Sequence, residues 1–186
     1  MQVIIKTEIA GVYIIEPKIF EDDRGYFFES YNKLELLKTG QHYDFVQDNQ
    51  SFSTYGTIRG LHLQRGASAQ AKLVRVLQGT VLDVAVDVRK DSKTFGKHVA
   101  VELSDENKRQ LLIPRGLAHG FSVLSDTAVF FYKCSDYYNR SAEASIRYDD
   151  PALGIDWRVP ADKAIVSNKD KCAPTFKEFQ RVYCNR

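Results

Sequence analysis

Between Thr80 and Arg89, Leu82, Val84, Val86 and Val88 alternate with Val81, Asp83, Ala85 and Asp87. A period of two belongs to a strand and not to a helix, and here it makes one face apolar and the other mixed. Nine further segments rich in Val, Ile, Phe and Tyr read as short strands: Val12–Glu16, Tyr26–Tyr31, Phe45–Phe52, Thr57–Gln64, Ala71–Gln78, His98–Leu103, Gln110–Ile113, Gly120–Leu124 and Thr127–Tyr137. Helix signals are few. Asn32 caps a short helix through Lys38, with Leu34 and Leu37 on one side and Gly40 ending it. Ser104–Asn107 reads as a helical turn or tight loop, and Phe176–Arg181 carries a weak helical pattern. So many strands must close a barrel or fold two sheets together to hide their edges. The expectation is an all-β jelly-roll barrel with a few short peripheral helices, whose interior is a natural small-molecule pocket. At 186 residues, a single domain over 1–186 suffices to bury a core.

Charge excludes some functions. The 26 basic and 24 acidic residues leave a net charge of +2, too balanced to argue for nucleic acid. An anionic ligand must be held by a local basic cluster instead. No apolar run approaches the roughly 18 residues of a membrane span. Val3-Ile4-Ile5 before Lys6 is far short of a signal-peptide core. Cys134, Cys172 and Cys184 are odd in number and lack CxxC spacing, so a disulfide framework or zinc site is not expected, and a reducing cytoplasm is.

Strand parity then nominates an interior. Ile58-Arg59-Gly60-Leu61-His62-Leu63-Gln64 puts His62 and Gln64 on one face and Leu61 and Leu63 on the other. Lys72, Val74 and Val76 share a face of the next strand, and Phe130, Tyr132 and Cys134 share one later. Arg59 has the opposite parity to His62, so Gly60 must supply a bulge or bend for both to reach one pocket. Gln47 and Asn49 share a face, suited to orienting a polar ligand. Gly116 and Gly120 bracket His119, in a loop that feeds a strand. A histidine, a lysine and an arginine among Leu and Val suggest an anionic substrate and proton transfer. Taken singly, each has a plainer explanation. His62 and Tyr132 suit structural roles, Lys72 a solvated strand end, and Arg24 solvent or a pair with Glu29. His42 and His98 read as surface or structural, Asp149-Asp150-Pro151 as a turn, and Trp157 as packing.

Longer stretches carry a family likeness: Phe20–Glu29 (FEDDRGYFFE), Gln47-Asp48-Asn49, Ile58–Gln64 (IRGLHLQ), Gln70–Val76 (QAKLVRV), Asp83–Arg89 (DVAVDVR) and Pro114–Phe121 (PRGLAHGF). It continues through Tyr132-Lys133, Asp136-Tyr137-Tyr138, Asp149–Trp157 (DDPALGIDW) and Lys169-Asp170. In these motifs the chain resembles the dTDP-4-dehydrorhamnose 3,5-epimerases of the RmlC type over nearly its whole length. The resemblance implies a cupin-like jelly roll and a homodimer whose N-terminal strand exchange completes the partner's site. It implies a dTDP-4-dehydro-6-deoxyhexose substrate, specifically dTDP-4-dehydro-6-deoxy-D-glucose, epimerised at C3 and C5 with no metal or other cofactor. By the same resemblance His62 is the base, Asp170 its carboxylate partner, Tyr132 the acid on the opposite face and Lys72 the stabiliser of the enolate oxygen. Arg24 and Arg59 are implied diphosphate contacts, and Tyr138 the ring that stacks on thymine. Glu29, Gln47, Asn49, His119, Glu143 and Lys169 are further implied substrate contacts.

Departures are modest. Leu63 replaces a frequent tyrosine, Asn168 a frequent glutamate, and Ala144-Ser145 a more polar pair. They leave open a mono-epimerase acting at C3 or C5 alone, and a 3,4-ketoisomerase of the same sugar. A metal-dependent cupin usually needs His-x-His, whereas Leu63-Gln64 follows His62. A nucleotide-sugar binder without catalysis is the remaining alternative.

Overall fold

A computed structural model describes residues 2–184. The strands are β1 (Val3–Lys6), β2 (Tyr13–Glu16), β3 (Phe20–Asp22), β4 (Gly25–Phe27), β5 (Gln47–Thr54), β6 (Thr57–Gln64) and β7 (Lys72–Gln78). They continue as β8 (Thr80–Asp87), β9 (His98–Ser104), β10 (Gln110–Ile113), β11 (Leu117–Val123), β12 (Thr127–Cys134), β13 (Glu143–Ser145) and β14 (Ile165–Val166). The α-helices are α1 (Lys33–Leu37), α2 (Asn168–Lys171) and α3 (Phe176–Tyr183). One sheet runs β1-β2-β10-β7-β12-β5. The second runs β13-β6-β11-β8-β9, with β14 pairing parallel to β6. Hairpin β3–β4 pairs only with itself. The two sheets pack face to face as the expected jelly roll.

The alternation in β8 has a sharper meaning in the structure. Its apolar face (Leu82, Val84, Val86, Val88) lies outside the sandwich, against Leu61, Leu63, Trp157, Phe176 and Phe179 of the β6 and C-terminal segments. Its mixed face looks inward, where Val81 and Ala85 join Val74, Val76, Leu111, Phe121 and Phe130 from both sheets. Both faces are therefore buried, and Asp83 and Asp87 are wholly enclosed. A third, smaller cluster (Ile15, Leu36, Leu73, Leu112) lets α1 cover the outside of the first sheet. Asn32 caps α1 as expected, its side chain accepting from Leu34 and Glu35 N–H. α3 begins at a Thr175–Glu178 capping box and buries Phe176 and Phe179.

Several boundaries differ from expectation. Tyr26–Tyr31 is not one strand, because Gly25–Phe27 turns back on Phe20–Asp22 as a hairpin. Phe45–Phe52 moves to Gln47–Thr54, and Thr80–Arg89 ends at Asp87, where the Asp87 side chain gathers Arg89, Ser92 and Thr94 into a turn. The segment around His119 is strand from Leu117 rather than loop, and β12 stops at Cys134. Short strands β1, β3, β13 and β14 offered too few residues for a visible alternation. The plain readings of Trp157 and Asp149–Pro151 hold: Trp157 is buried with its indole N–H on Tyr148 O, and residues 149–152 turn. All three cysteines are free.

Candidate active site

A cavity of about 630 Å³ opens between the sheets, lined by Arg59, His62 and His119 of the second sheet and Asn49, Lys72, Phe130 and Tyr132 of the first. A neighbouring lobe of about 360 Å³ shares Asn49, His62, Lys72 and Tyr132 and reaches Gln47, Cys134, Tyr138 and Glu143.

The bulge anticipated at Gly60 is what assembles this site. β11 pairs with β6 as His119↔His62 and then Phe121↔Arg59, so Gly60 and Leu61 stand opposite Gly120 alone. The extra residue brings Arg59 onto the face of His62. Only glycines fit the crossing: a Cβ on Gly60, where φ is +144°, would lie 2.6 Å from Gly120 Cα. The bulge also frees the Gly60 N–H from the ladder, and it donates to Asp170 Oδ2 at 3.3 Å.

Asp170 reaches this point because β14 joins β6 and leads through the Ser167 cap into α2. Its Oδ1 lies 2.7 Å from His62 Nε2. Burial opposes the charged carboxylate, yet the hydrogen bond and charge of His62, with help from Gly60 N–H and Ser167, hold Asp170 below the usual carboxylate range. An ionised partner of this kind keeps the imidazole proton on its own side and leaves the other ring nitrogen free to accept one.

Lys72 and Tyr132 face His62 from the opposite sheet. Burial pushes the Lys72 ammonium below the ordinary lysine value, while Cys134, Asp83 and Glu143 pull it back. The ammonium sits 5.6 Å from the Tyr132 ring centroid. Burial, with Cys134 beside it, raises the Tyr132 phenol above its ordinary value against the pull of Arg59, so it holds its proton at neutral pH.

At the rim, Arg59 is exposed, its Nε donating to Ser53 Oγ at 3.1 Å. Gln47 Nε2 donates to Asn49 Oδ1 at 3.0 Å, and Asn49 Nδ2 to Cys134 Sγ at 3.6 Å. Tyr138 donates its hydroxyl to Glu143 Oε2 at 3.3 Å, and Glu143 pairs with Lys169 at 2.7 Å. Tyr138 is 58% exposed, a free aromatic face beside the second lobe. His119 is buried, with Nε2 2.8 Å from Asp83 Oδ2. Burial holds its imidazole below the ordinary histidine value, despite Asp83.

Eleven of the thirteen expected site residues thus surround one cavity system, as wall or rim. Arg24 and Glu29 do not. Arg24 sits at the exposed tip of β3–β4 and pairs with Asp22 at 2.5 Å, rather than with Glu29 or the pocket. Glu29 accepts from Asn32 Nδ2 at 3.2 Å, beside a separate groove. Parity had shown nothing of Asp83 beyond a polar residue on a mixed strand face. Its signs in the sequence are its place, with Asp87, in a mainly apolar run and at the head of the stretch DVAVDVR. Ser53, which steadies Arg59, carried no signal at all. Among the described residues, no group of three His, Cys, Asp or Glu side chains is arranged to hold a metal ion.

Residues 6–178 match the family model described as dTDP-4-dehydrorhamnose 3,5-epimerase. The dTDP-4-dehydrorhamnose 3,5-epimerase of Salmonella typhimurium is 54% identical over 181 residues, covering 96% of this chain and 97% of the relative. The crystal structure of the Elizabethkingia anophelis dTDP-4-dehydrorhamnose 3,5-epimerase matches with a TM-score of 0.92 at 54% identity, over 95% of this chain and 97% of that one. A Legionella pneumophila dTDP-6-deoxy-D-glucose-3,5-epimerase in complex with dTDP-4-keto-L-rhamnose matches with a TM-score of 0.91 at 50% identity, over 95% and 94%.

Proposed function

This chain belongs to the dTDP-4-dehydrorhamnose 3,5-epimerase family and is an epimerase of dTDP-rhamnose biosynthesis, and we propose that His62 removes the substrate protons while Tyr132 returns them. The substrate is dTDP-4-dehydro-6-deoxy-D-glucose and the product dTDP-4-dehydro-L-rhamnose. C3 and C5 both flank the C4 ketone, so loss of either proton gives an enolate. His62 takes the proton on the ring nitrogen that does not face Asp170, and Asp170 stabilises the imidazolium. The electron pair moves to the C4 oxygen, where the Lys72 ammonium meets the new charge. Tyr132 then gives its proton to the carbon from the other side, and solvent resets both groups. One cycle at each carbon inverts both centres without net redox change.

The observation that carries this reading is the placement of base and acid on opposite sheets of one cavity: His62 on β6, Tyr132 on β12. A base and an acid on the same wall would return the proton to the face it left. Arg59 suits the diphosphate, through a guanidinium fork at the cavity mouth. Tyr138 suits stacking on thymine. Gln47, Asn49, His119, Glu143 and Lys169 suit the remaining polar contacts of the nucleotide sugar.

We further propose that the whole chain acts as one domain, in the cytoplasm, and as a homodimer exchanging N-terminal strands. The support is the position of Arg24 and Glu29. Within one chain they lie away from the cavity, on a segment whose Phe20, Tyr26 and Phe27 are more than half exposed. In a dimer they are free to enter the partner's site. Mixing Arg24→Ala with His62→Ala chains tests this: recovery of activity supports exchange, and inert mixtures oppose it. For the chemistry, the test is deuterium uptake at C3 and C5 from heavy water, with product stereochemistry read by NMR. Uptake at both carbons, abolished by His62→Ala, is expected. Uptake at one carbon indicates a mono-epimerase, and full exchange in His62→Ala removes His62 from the mechanism.

A further inference from the structure

Between the end of β12 at Cys134 and a 3₁₀ turn at Arg140–Ala142, the chain forms neither strand nor helix. Among the described residues, no backbone group of residues 136–138 bonds to another backbone group. Side-chain amides answer them instead. Gln70, just before β7, donates from Nε2 to Asp136 O at 2.7 Å. Gln64, the last residue of β6, donates from Nε2 to Tyr137 O at 3.1 Å and accepts on Oε1 from Asn139 N–H at 2.6 Å. Gln47, the first residue of β5, accepts on Oε1 from Tyr138 N–H at 3.2 Å. Three glutamines from the two sheets thus hold one short segment.

Gln64 is the centre of this clamp. It is buried, and Nε2 also donates to Ser68 O at 2.8 Å. Two carbonyls face its nitrogen and one N–H faces its oxygen, so a single orientation of the amide satisfies all three. A carboxylate of the same length would set an oxygen against two carbonyls. Gln64 also pairs across the ladder with Glu143, whose Oε2 accepts from the Tyr138 hydroxyl at 3.3 Å. Tyr138 is therefore fixed at both ends, through its flanking peptides and through its hydroxyl. Its ring stays exposed beside the second lobe of the cavity.

We propose that Gln64 is a positioning residue for the nucleotide: it holds residues 137–139 so that the Tyr138 ring presents a fixed face to the thymine. The proposal rests on Tyr138 stacking on the base. A ring already held in place loses little further freedom when the base arrives, so the clamp strengthens binding by pre-organisation. Gln64 shares β6 and its face with His62, yet its hydrogen bonds all run to the segment that carries Tyr138 and to Ser68. Its loss therefore acts on binding and not on proton transfer.

Calorimetry with dTDP and steady-state kinetics on the full chain test this. Gln64→Met keeps the length of the side chain and removes all three hydrogen bonds. It should bind dTDP about tenfold more weakly, the scale of one base–aromatic stack, with KM rising alike and kcat changing by less than about threefold. Tyr138→Ala should lose at least as much. Adding Gln64→Met to it should cost little more, because two changes that act through one ring are not additive. Three results overturn the proposal: a folded Gln64→Met with parental dTDP affinity, a loss that adds in full to that of Tyr138→Ala, or a fall in kcat at constant KM. If Gln64→Met does not fold, Gln70→Met opens the same segment at Asp136 and is judged by the same cycle. The stacking and the clamp fail separately. Parental dTDP affinity in Tyr138→Ala removes the stacking, and with it the effect of Gln64 on binding. Amide hydrogen exchange then judges the clamp: Asn139 N–H should exchange about tenfold faster or more in Gln64→Met, and an unchanged rate removes the clamp as well.

Discussion

His62–Asp170 and His119–Asp83 are nearly the same pair by distance, 2.7 Å and 2.8 Å, and their histidines are direct cross-strand partners on β6 and β11. Their access differs. The His62 side chain is 33% exposed at the cavity, and that of His119 only 7%. Asp170 is held by the bulge N–H and by His62, at the end of a short peripheral helix. Asp83 lies in the middle of the sandwich, with one oxygen unanswered. A His–Asp contact is therefore not in itself a base. In the proposed mechanism it becomes one at His62, where the imidazole faces the open cavity and can take on charge beside water. Enclosed, the same contact orients a neutral ring.

The largest expected break in this comparison is His62→Ala. It should lower kcat by about 10³-fold or more, within the range a positioned general base supplies. His119→Ala should cost about tenfold, mainly through KM, together with a loss of stability of roughly 1–3 kcal/mol from stranding the buried Asp83 carboxylate. Steady-state kinetics with thermal melts checks both. If His119→Ala remains folded yet stops C–H exchange as completely as His62→Ala, access is not what separates the pairs.

Asp170→Asn comes next. An amide can still hydrogen-bond the imidazole but neither fixes the tautomer nor balances an imidazolium, so kcat should fall about 10²- to 10³-fold with KM nearly unchanged. A loss confined to KM would make Asp170 a binding residue.

How legible each pair was follows from the same difference. β6, β7 and β12 are long enough for parity to be read, so His62, Lys72 and Tyr132 could be assigned to one interior. The Gly60 bulge followed from a conflict of parity between Arg59 and His62, and the register shows it. Asp170 could not be reached in that way. It lies 108 residues from His62 and arrives through the two-residue strand β14, which has no periodicity to detect. Only the family resemblance pointed to it. Asp83 was visible as a polar interruption, but alternation alone does not say which face of a doubly buried strand looks into the barrel. Arg24 and Glu29 were nominated by resemblance, and no local pattern could tell that one chain leaves them outside its own cavity.

Gly60→Ala tests whether one backbone feature serves both histidines. Its Cβ would approach Gly120 Cα to 2.6 Å, so the strands must separate beside His62 and His119 together. A loss of about 2 kcal/mol is expected, or roughly 4–8 °C in Tm for a chain of this size. Activity should drop about 10²-fold as Arg59 and His62 lose their common face. A variant with a lower Tm but normal kcat/KM would show that the site tolerates a moved bulge.

The smallest effect on catalysis is expected at Asp87, a useful contrast because it shares the inward face of β8 with Asp83 and is equally enclosed. Every need of this carboxylate is met: Arg89 Nε at 2.8 Å, Ser92 Oγ at 2.5 Å and Thr94 Oγ1 at 2.6 Å. Burial alone would raise its pKa, but these donors and the Arg89 charge lower it from 3.8 to about 2. A depressed folded-state value means the charged form stabilises the fold. That stability, about 2 kcal/mol, is complete above the unfolded value near pH 4 and is lost as pH falls toward 2. Asp87→Asn should therefore melt several degrees below the parent at pH 7 with kcat unchanged, and the two melting curves should converge as the pH approaches 2. A gap in Tm that persists at pH 2 would mean that the shape of the turn, not its charge, is what Asp87 supplies. A fall in kcat at pH 7 would tie this turn to the working cavity.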